Sequence, residues 1–207
     1  MLDDYTLVTT QLVTLWSVVD PIGHLPLFLA ATAALTPAER RRTAIVGVLV
    51  AFGLLAAFGL VGQYVLQAMG VSLLSFQIAG GIILFVFALS MVLGNHAAST
   101  PVGEGALATA IYPVATPIIA GPGSLLTVVL LMQNQQGSFS QQAVTLLALA
   151  AILALLLAAF LLSEWIHRVI GVGGANLLRR VMGLILSALA VNMVLSALAI
   201  WLHLPTI

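Results

Sequence analysis

Long apolar stretches separated by short polar connections dominate the pattern of this 207-residue chain. A helix that crosses a bilayer needs roughly 20 mostly apolar residues. Six stretches meet that requirement: residues 5–35, 43–67, 72–94, 106–132, 142–163 and 178–202. Thr36-Pro37-Ala38-Glu39 reads as a capping box with proline at the first helical position, and Ser138 with Gln141 reads as its amide version. The pattern predicts an all-α integral membrane protein with six transmembrane helices.

The first and fourth stretches are too long for straight spans, and each is interrupted near its middle. Asp20-Pro21 interrupts the first and Gly121-Pro122 the fourth. Proline removes an intrahelical hydrogen bond, while Asp is a good N-cap. We therefore predict that one helix ends near Asp20 and a new one starts at Pro21, with the same event at Gly121-Pro122. Proline kinks that serve only packing are the alternative.

The second half of the chain repeats the first at an ungapped offset of 102 residues. Gly81 falls on Gly183, and residues 54–58 (LLAAF) fall on 156–160. Each half has three spans, an odd number, so the two halves must have opposite orientations in the membrane. Transporters built from such inverted repeats bind their solute near the bilayer midplane. The predicted organisation is a single membrane domain, 1–207, of two inverted three-helix repeats: repeat 1 (1–95), a cytoplasmic linker (96–105) and repeat 2 (106–207).

Composition agrees with lipid as the main solvent of this chain. Hydrophobic residues make up 62% and charged residues only 6%, against roughly 25% charged residues in soluble domains. All six basic residues are arginines in two connections: Arg40, Arg41 and Arg42, then Arg168, Arg179 and Arg180. An even number of spans separates these connections, so the positive-inside rule places both in the cytoplasm. We expect a multi-pass protein of a bacterial-type inner membrane with both termini outside.

Several functional classes are disfavoured. Zero net charge and the lack of a basic stripe argue against nucleic-acid binding. The chain has no cysteine, so it cannot form disulfides or thiolate metal sites. An acidic N-terminus is unlike a signal peptide, so we expect the first apolar stretch to remain in the mature protein. Without HExxH, GxSxG or paired acids, we expect neither an enzyme nor a cofactor beyond a sodium ion.

Asp20 is the only acid far from any predicted helix end. A carboxylate at the centre of a span costs about 2.5 to 3.5 kcal/mol on insertion scales, which makes Asp20 a functional candidate. A pure capping role is its alternative. His24 lies four residues later, on the same helical face. It could titrate with Asp20, hydrogen-bond a substrate, or be a packed neutral histidine.

The breaks suggest a site for a zwitterion. New helix N-termini offer free N–H groups to a carboxylate, while freed carbonyls and a nearby acid suit a cation. Gly121 and Gly123 allow the backbone to approach a solute closely. Ser124 and Thr127 follow the second break, where their hydroxyls could orient the solute. Their alternative role is a hydrogen bond from each hydroxyl to a carbonyl of the preceding turn. Ser90 and Asn192, which the offset superimposes, could face each other at this site or form a plain interhelical hydrogen bond.

Three segments resemble the signature regions of the MarC family of bacterial and archaeal membrane proteins, also classed as six-span neutral amino acid transporters. They are residues 20–29 (DPIGHLPLFL), 116–124 (TPIIAGPGS), and 182–186 (MGLIL) with 190–192 (AVN). The resemblance implies a secondary transporter for small neutral amino acids such as glycine and alanine, coupled to sodium or protons. The family more often has Asn at the position of His24 and Gln at that of Asn192, which leaves the coupling ion open.

The candidate substrate-binding residues are Asp20, Pro21, Gly23, His24, Ser90, Thr116, Gly121, Pro122, Gly123, Ser124, Thr127 and Asn192. Asp20 and Thr116 are also the ion-coupling candidates, since sodium prefers oxygen ligands, whereas His24 suits protons. The expected partners are a small neutral amino acid, sodium or a proton, and the lipid bilayer, and a homo-oligomer is compatible with the pattern. A passive channel or exporter for another small solute and a non-transporting scaffold remain the alternatives.

Overall fold

The computed structural model describes residues 2–21, 23–93, 105–133 and 139–203, and within these ranges the chain is helical with no β-strand. In chain order the elements are α1 (Leu2–Val19), α2 (His24–Ala31), α3 (Pro37–Ala68), α4 (Leu73–Leu93), α5 (Ala106–Thr109), a π-helical segment (Ala110–Ile119), α6 (Pro122–Gln133) and α7 (Phe139–Trp201).

The described helices include four stretches that are long and apolar enough to cross a bilayer. They are Pro37–Ala68, Leu73–Leu93, Phe139–Ser163 and Gly183–Trp201. Two further pairs meet the same criterion only as bent units: Leu7–Val19 with His24–Ala31, bent by 41°, and Ala106–Ile119 with Pro122–Met132, bent by 62°. The described chain thus has four candidate spans, or six if each bent pair is one crossing. The bent pairs are the two stretches that the sequence predicted to be broken.

The backbone between the fifth and sixth predicted spans differs from the expected connection, because it is helical. α7 contains 63 residues, which at about 1.5 Å per residue would measure about 95 Å if straight, roughly three times the thickness of the hydrocarbon layer. Its two candidate spans are therefore separate stretches within one run of helical backbone. Residues 164–182 contain several glycines but no proline, and glycine alone does not break the hydrogen bonds of a helix.

The capping box predicted at the start of α3 is confirmed. Thr36 Oγ1 accepts the Glu39 N–H at 3.4 Å, and Glu39 Oε2 accepts the Thr36 N–H at 2.9 Å. Next to this cap, Arg40 is only 8% exposed and donates from Nη2 to the Thr32 carbonyl oxygen at 3.3 Å. The C-terminal end of α2 is thereby attached to the first turn of α3. Ser138, of the second predicted box, lies outside the described residues.

Close helix contacts depend on small residues where α4 meets α7. A Cβ at Gly81 would lie 3.0 Å from the Ala190 carbonyl oxygen, and a Cβ at Gly183 would lie 3.0 Å from the Ala88 carbonyl oxygen. The two contacts are reciprocal, since Gly81 and Gly183 are separated by the same 102 residues as Ala88 and Ala190. Between apolar helices in lipid, this kind of van der Waals contact is a main source of association.

Larger side chains fill the space between α2 and the first half of α7. Phe28 and Phe160 are fully buried and stack with their ring centroids 4.1 Å apart and an interplanar angle of 8°. On the outer faces large apolar side chains such as Leu49 and Leu147 are exposed. Such exposure suits a chain whose outer surface contacts acyl chains instead of water.

Replacing Gly81 by alanine is expected to destabilise the protein. The new Cβ would lie 2.8 Å from Val194 Cγ2 and 3.0 Å from the Ala190 carbonyl oxygen. Overpacking of this kind costs about 1 to 3 kcal/mol, so thermal unfolding in detergent should show a lower Tm than for the wild type.

Gly53→Ala is the matched control, because nothing lies within 4 Å of a Cβ at Gly53. Alanine gains up to about 1 kcal/mol of helix propensity over glycine, so this variant should have an equal or higher Tm. A Tm for Gly81→Ala at or above that of Gly53→Ala would contradict the close contact between α4 and α7.

Candidate functional site

The first break, residues 20–23, is organised by Asp20. Asp20 has a left-handed φ of 37°, which Asp tolerates better than most residues. Its N–H donates to the Trp16 carbonyl at 2.8 Å and completes the last turn of α1, and its own carbonyl accepts the His24 N–H at 3.0 Å. Its carboxylate Oδ1 accepts the Gly23 N–H at 3.0 Å. Asp20 therefore caps the turn at residues 20–23, whereas the N-cap of α2 itself is Gly23, which has no side-chain cap hydrogen bond.

The predicted start of the new helix at Pro21 is wrong by three residues. α2 begins at His24, and the buried Pro21 lies in the turn before it. The carboxylate of Asp20 occupies the space that a Cβ at Gly23 would need. The turn is therefore set by the side chain of Asp20 and by a glycine without a Cβ, and not by proline at a first helical position.

The second break, at Ala120 and Gly121, follows the predicted positions. Ala120 departs from helical geometry, with φ −86° and ψ 59°, and its N–H donates to the Ala115 carbonyl at 2.8 Å. α6 then starts at Pro122 as predicted, and the Leu125 N–H donates to the Gly121 carbonyl at 2.9 Å. A Cβ at Gly121 would lie 2.7 Å from the Pro117 carbonyl oxygen, so only glycine fits this turn.

The π-helical segment contains two irregularities that the sequence analysis missed. Tyr112 and Thr116 have extended backbones, with φ/ψ of −135°/125° and −134°/126°. Each directly precedes a proline, whose ring disfavours helical geometry in the residue before it. The pairs Tyr112-Pro113 and Thr116-Pro117 were the available signal.

A cavity of about 270 Å³, here called the central cavity, lies between the two breaks. α2 contributes His24 to its wall, and the second break contributes Gly121 and the first turn of α6. α4 packs directly behind, because a Cβ at Gly80 would overlap Pro122. The apolar part of the wall includes Leu84, Phe87, Leu186, Leu189 and Met193.

Few polar side chains line the central cavity. Gln77 donates from Nε2 to the Met193 carbonyl oxygen at 2.9 Å, which leaves its Oε1 as an acceptor. Ser124 and Thr127 line the wall and make no hydrogen bond to any residue that the structure describes. Ser17, also in the wall, differs because its hydroxyl donates to the Val13 carbonyl at 2.8 Å. The alternative role for Ser124 and Thr127 was a hydrogen bond from each hydroxyl to a carbonyl of the preceding turn. Among the described residues, neither hydroxyl makes such a bond.

Half of the sequence candidates line the central cavity: His24, Gly121, Pro122, Gly123, Ser124 and Thr127. Asp20, Pro21 and Gly23 form the first break beside it without lining it. The structure therefore brings most of segment 116–124 to the cavity wall, together with His24 and Leu27 of segment 20–29.

The remaining candidates lie elsewhere. Thr116 is exposed on the π-helical segment, and Asn192 is exposed on α7. The Ser90 hydroxyl donates within α4 to the Phe87 carbonyl at 2.6 Å. Gln77 lines the cavity but was not among the sequence candidates, and the available signal for it was a single amide side chain inside an apolar span.

The first turn of α6 gives the cavity a wall suited to a negative group. The first N–H groups of a helix have no intrahelical partner, and the helix dipole is positive at that end. A Cβ at Gly123 would make only ordinary contacts, at 3.8 Å from Met193 Sδ and 3.9 Å from Val18 Cγ1. Glycine at this position therefore leaves the backbone accessible from the cavity.

Comparison with known proteins gives consistent matches over nearly the whole chain. A family model described as MarC family integral membrane protein matches residues 5–202. A UPF0056 membrane protein of Methanocaldococcus jannaschii is 34% identical over 190 residues, which cover 89% of this chain and 92% of the relative. The UPF0056 inner membrane protein YhgN of Escherichia coli is 30% identical over 189 residues, covering 89% and 92%. No solved structure matches this chain significantly.

Substitutions of Asp20 should separate its capping role from its charge. Asp20→Asn keeps an oxygen for the Gly23 N–H and tolerates the left-handed backbone, so its Tm in detergent should stay near that of the wild type. Asp20→Leu loses the cap, at about 0.5 to 2 kcal/mol, and strains the left-handed residue by roughly 1 to 2 kcal/mol. Its Tm should be clearly lower. Equal Tm values for the two variants would contradict a capped first break.

Proposed function

This chain belongs to the MarC family of integral membrane proteins, and from that premise we propose that it is a secondary transporter of small neutral amino acids coupled to sodium or protons. The observation that carries the proposal is that two broken helices contribute to the wall of one cavity. Unpaired backbone groups in hydrocarbon cost several kcal/mol each, so breaks persist where protein or a water-filled cavity surrounds them. Half-helix ends at a central cavity are a recurrent transporter design.

The groups around the central cavity match the two ends of a zwitterion. The first turn of α6, with the hydroxyls of Ser124 and Thr127, supports binding of a carboxylate. Oε1 of Gln77 supports binding of an ammonium group, since it is an acceptor without a partner among the described residues. The apolar wall and the volume of about 270 Å³ favour a small, uncharged side chain such as that of glycine or alanine.

Inverted repeats are part of the proposal. The reciprocal contacts of Gly81 with Ala190 and of Gly183 with Ala88 support a twofold relation between the halves. Leu84 and Leu186, which the 102-residue offset superimposes, both line the central cavity. A pseudo-twofold axis through the cavity accounts for both observations, as expected for a site at the interface of two repeats.

Orientation follows from the arginines. Arg41 and Arg42 are exposed at the start of α3, which supports a cytoplasmic location for this end under the positive-inside rule. The relative from Escherichia coli is named an inner membrane protein. We infer an inner-membrane location here, with both termini outside.

Uptake into proteoliposomes tests transport directly. Purified protein should accumulate radiolabelled alanine and glycine when a sodium or a pH gradient is imposed, each gradient being applied alone. Equilibration without accumulation under either gradient would indicate a passive channel. Absence of uptake by correctly folded protein would favour a scaffold.

Gly123→Val should abolish this uptake, because its methyl groups would occupy the wall where α6 begins. Gly53→Val is the control, since Gly53 is exposed on α3 with nothing within 4 Å of its Cβ. Both variants should remain folded and monodisperse in size-exclusion chromatography. Equal uptake by the two folded variants would show that the second break does not bind the solute.

Single cysteines at the two ends of α3 should report orientation, since the chain has no native cysteine. Ala38 and Met69 are both exposed. Met69→Cys should react with an impermeant maleimide in intact cells, and Ala38→Cys only after permeabilisation. The reverse pattern would overturn the assignment of both termini to the outside.

A further inference from the structure

His24 is the only titratable side chain among the described residues that line the central cavity. Its Nδ1 lies 2.9 Å from the carbonyl oxygen of Asp20. A carbonyl oxygen only accepts hydrogen bonds, so Nδ1 must carry the hydrogen in both the neutral and the charged ring. The neutral ring therefore has a free lone pair on Nε2, and a protonated ring has an N–H there.

The surroundings leave Nε2 available. Nε2 has no hydrogen-bond partner among the described residues. The atom is also not fully buried. Wall residues from α1, α4, the π-helical segment, α6 and α7 carry no acid or base in the part of the chain that the structure describes. Asp20 is the one carboxylate of the adjoining break, and its Oδ1 is bonded to the Gly23 N–H.

We propose that Nε2 of His24 is the proton-binding site of the central cavity and that one proton on it crosses the membrane with each solute. The second part rests on the proposed transport function. Nε2 takes a proton from water on one side and returns it to water on the other, and no other bond forms or breaks. The bound proton adds a positive charge to a cavity that already has the helix N-terminus of α6 in its wall, which favours the solute carboxylate.

The neutral form of His24 has the opposite effect on solute binding. With Nε2 neutral, the described wall has neither a full charge nor an N–H from the ring, so the carboxylate is held less tightly. A bound proton therefore raises the affinity for the solute, and by thermodynamic linkage a bound solute raises the affinity for the proton to the same degree. Of the two coupling ions that the sequence left open, sodium and protons, this proposal selects protons.

Nuclear magnetic resonance of ¹⁵N-histidine-labelled protein in nanodiscs tests the proton site without requiring transport. The His24 signal is identified by its loss in His24→Asn. The neutral ring should show a protonated Nδ1 and a bare Nε2, and lowering the pH should protonate Nε2. A neutral ring with its hydrogen on Nε2, or a ring that never titrates, would overturn the proposal.

Proteoliposomes test the coupling. His24→Asn keeps a donor for the Asp20 carbonyl but cannot take up a proton, so accumulation of alanine driven by a pH gradient should fall to equilibration. Exchange of labelled for unlabelled alanine should persist. His203→Asn is the control, because His203 is exposed at the end of α7 and has a left-handed φ of 54° that Asn accommodates.

The outcomes separate the two proposals. Undiminished pH-driven accumulation by His24→Asn, or wild-type accumulation driven by sodium alone, would overturn proton coupling through His24 while leaving transport intact. Wild-type protein that neither accumulates nor exchanges alanine or glycine would contradict the proposed function and, with it, the coupling. The resonance experiment would then still decide whether His24 is the proton site.

Discussion

The structure depends first on the requirement that backbone N–H and C=O groups find partners away from water. Most of the described chain meets it with α-helix, and the two breaks meet it by different means. At the first break, the carboxylate of Asp20 accepts the Gly23 N–H while its carbonyl accepts that of His24. At the second, the Ala120 N–H reaches back five residues, and Gly121 lets the chain turn tightly. At the second break, Gly121 and Gly123 line the central cavity.

Glycines on α4 allow the neighbouring helices to pack closely around the second break. Lipid tails are as apolar as leucine, so helix association relies on contact area, which small residues increase. Adjacent glycines on α4 serve two different neighbours: Gly80 packs against Pro122 at the second break, and Gly81 packs against the α7 backbone at Ala190. A single helix thus holds both the start of α6 and the last part of α7 in place, and the cavity lies where they meet.

The breaks occupy related positions in the two halves but differ in chemistry. The first provides ionisable groups, Asp20 and His24, while the second provides a helix N-terminus with the hydroxyls of Ser124 and Thr127. Under the proposed transport, the first break holds the coupling proton on His24 and the second break holds the solute carboxylate at its helix N-terminus.

The sequence by itself determined the membrane class, the capping box at Thr36 and both broken spans, because apolar length, proline and caps act through neighbouring residues. It misplaced the start of α2, since the turn there depends on a side-chain bond of Asp20. Only the tertiary structure decided that Gln77 lines the cavity and that Asn192 and Thr116 do not. Which side of a helix lines a cavity depends on its rotation about its axis, and a helix that is apolar all round carries no periodic pattern to reveal that rotation.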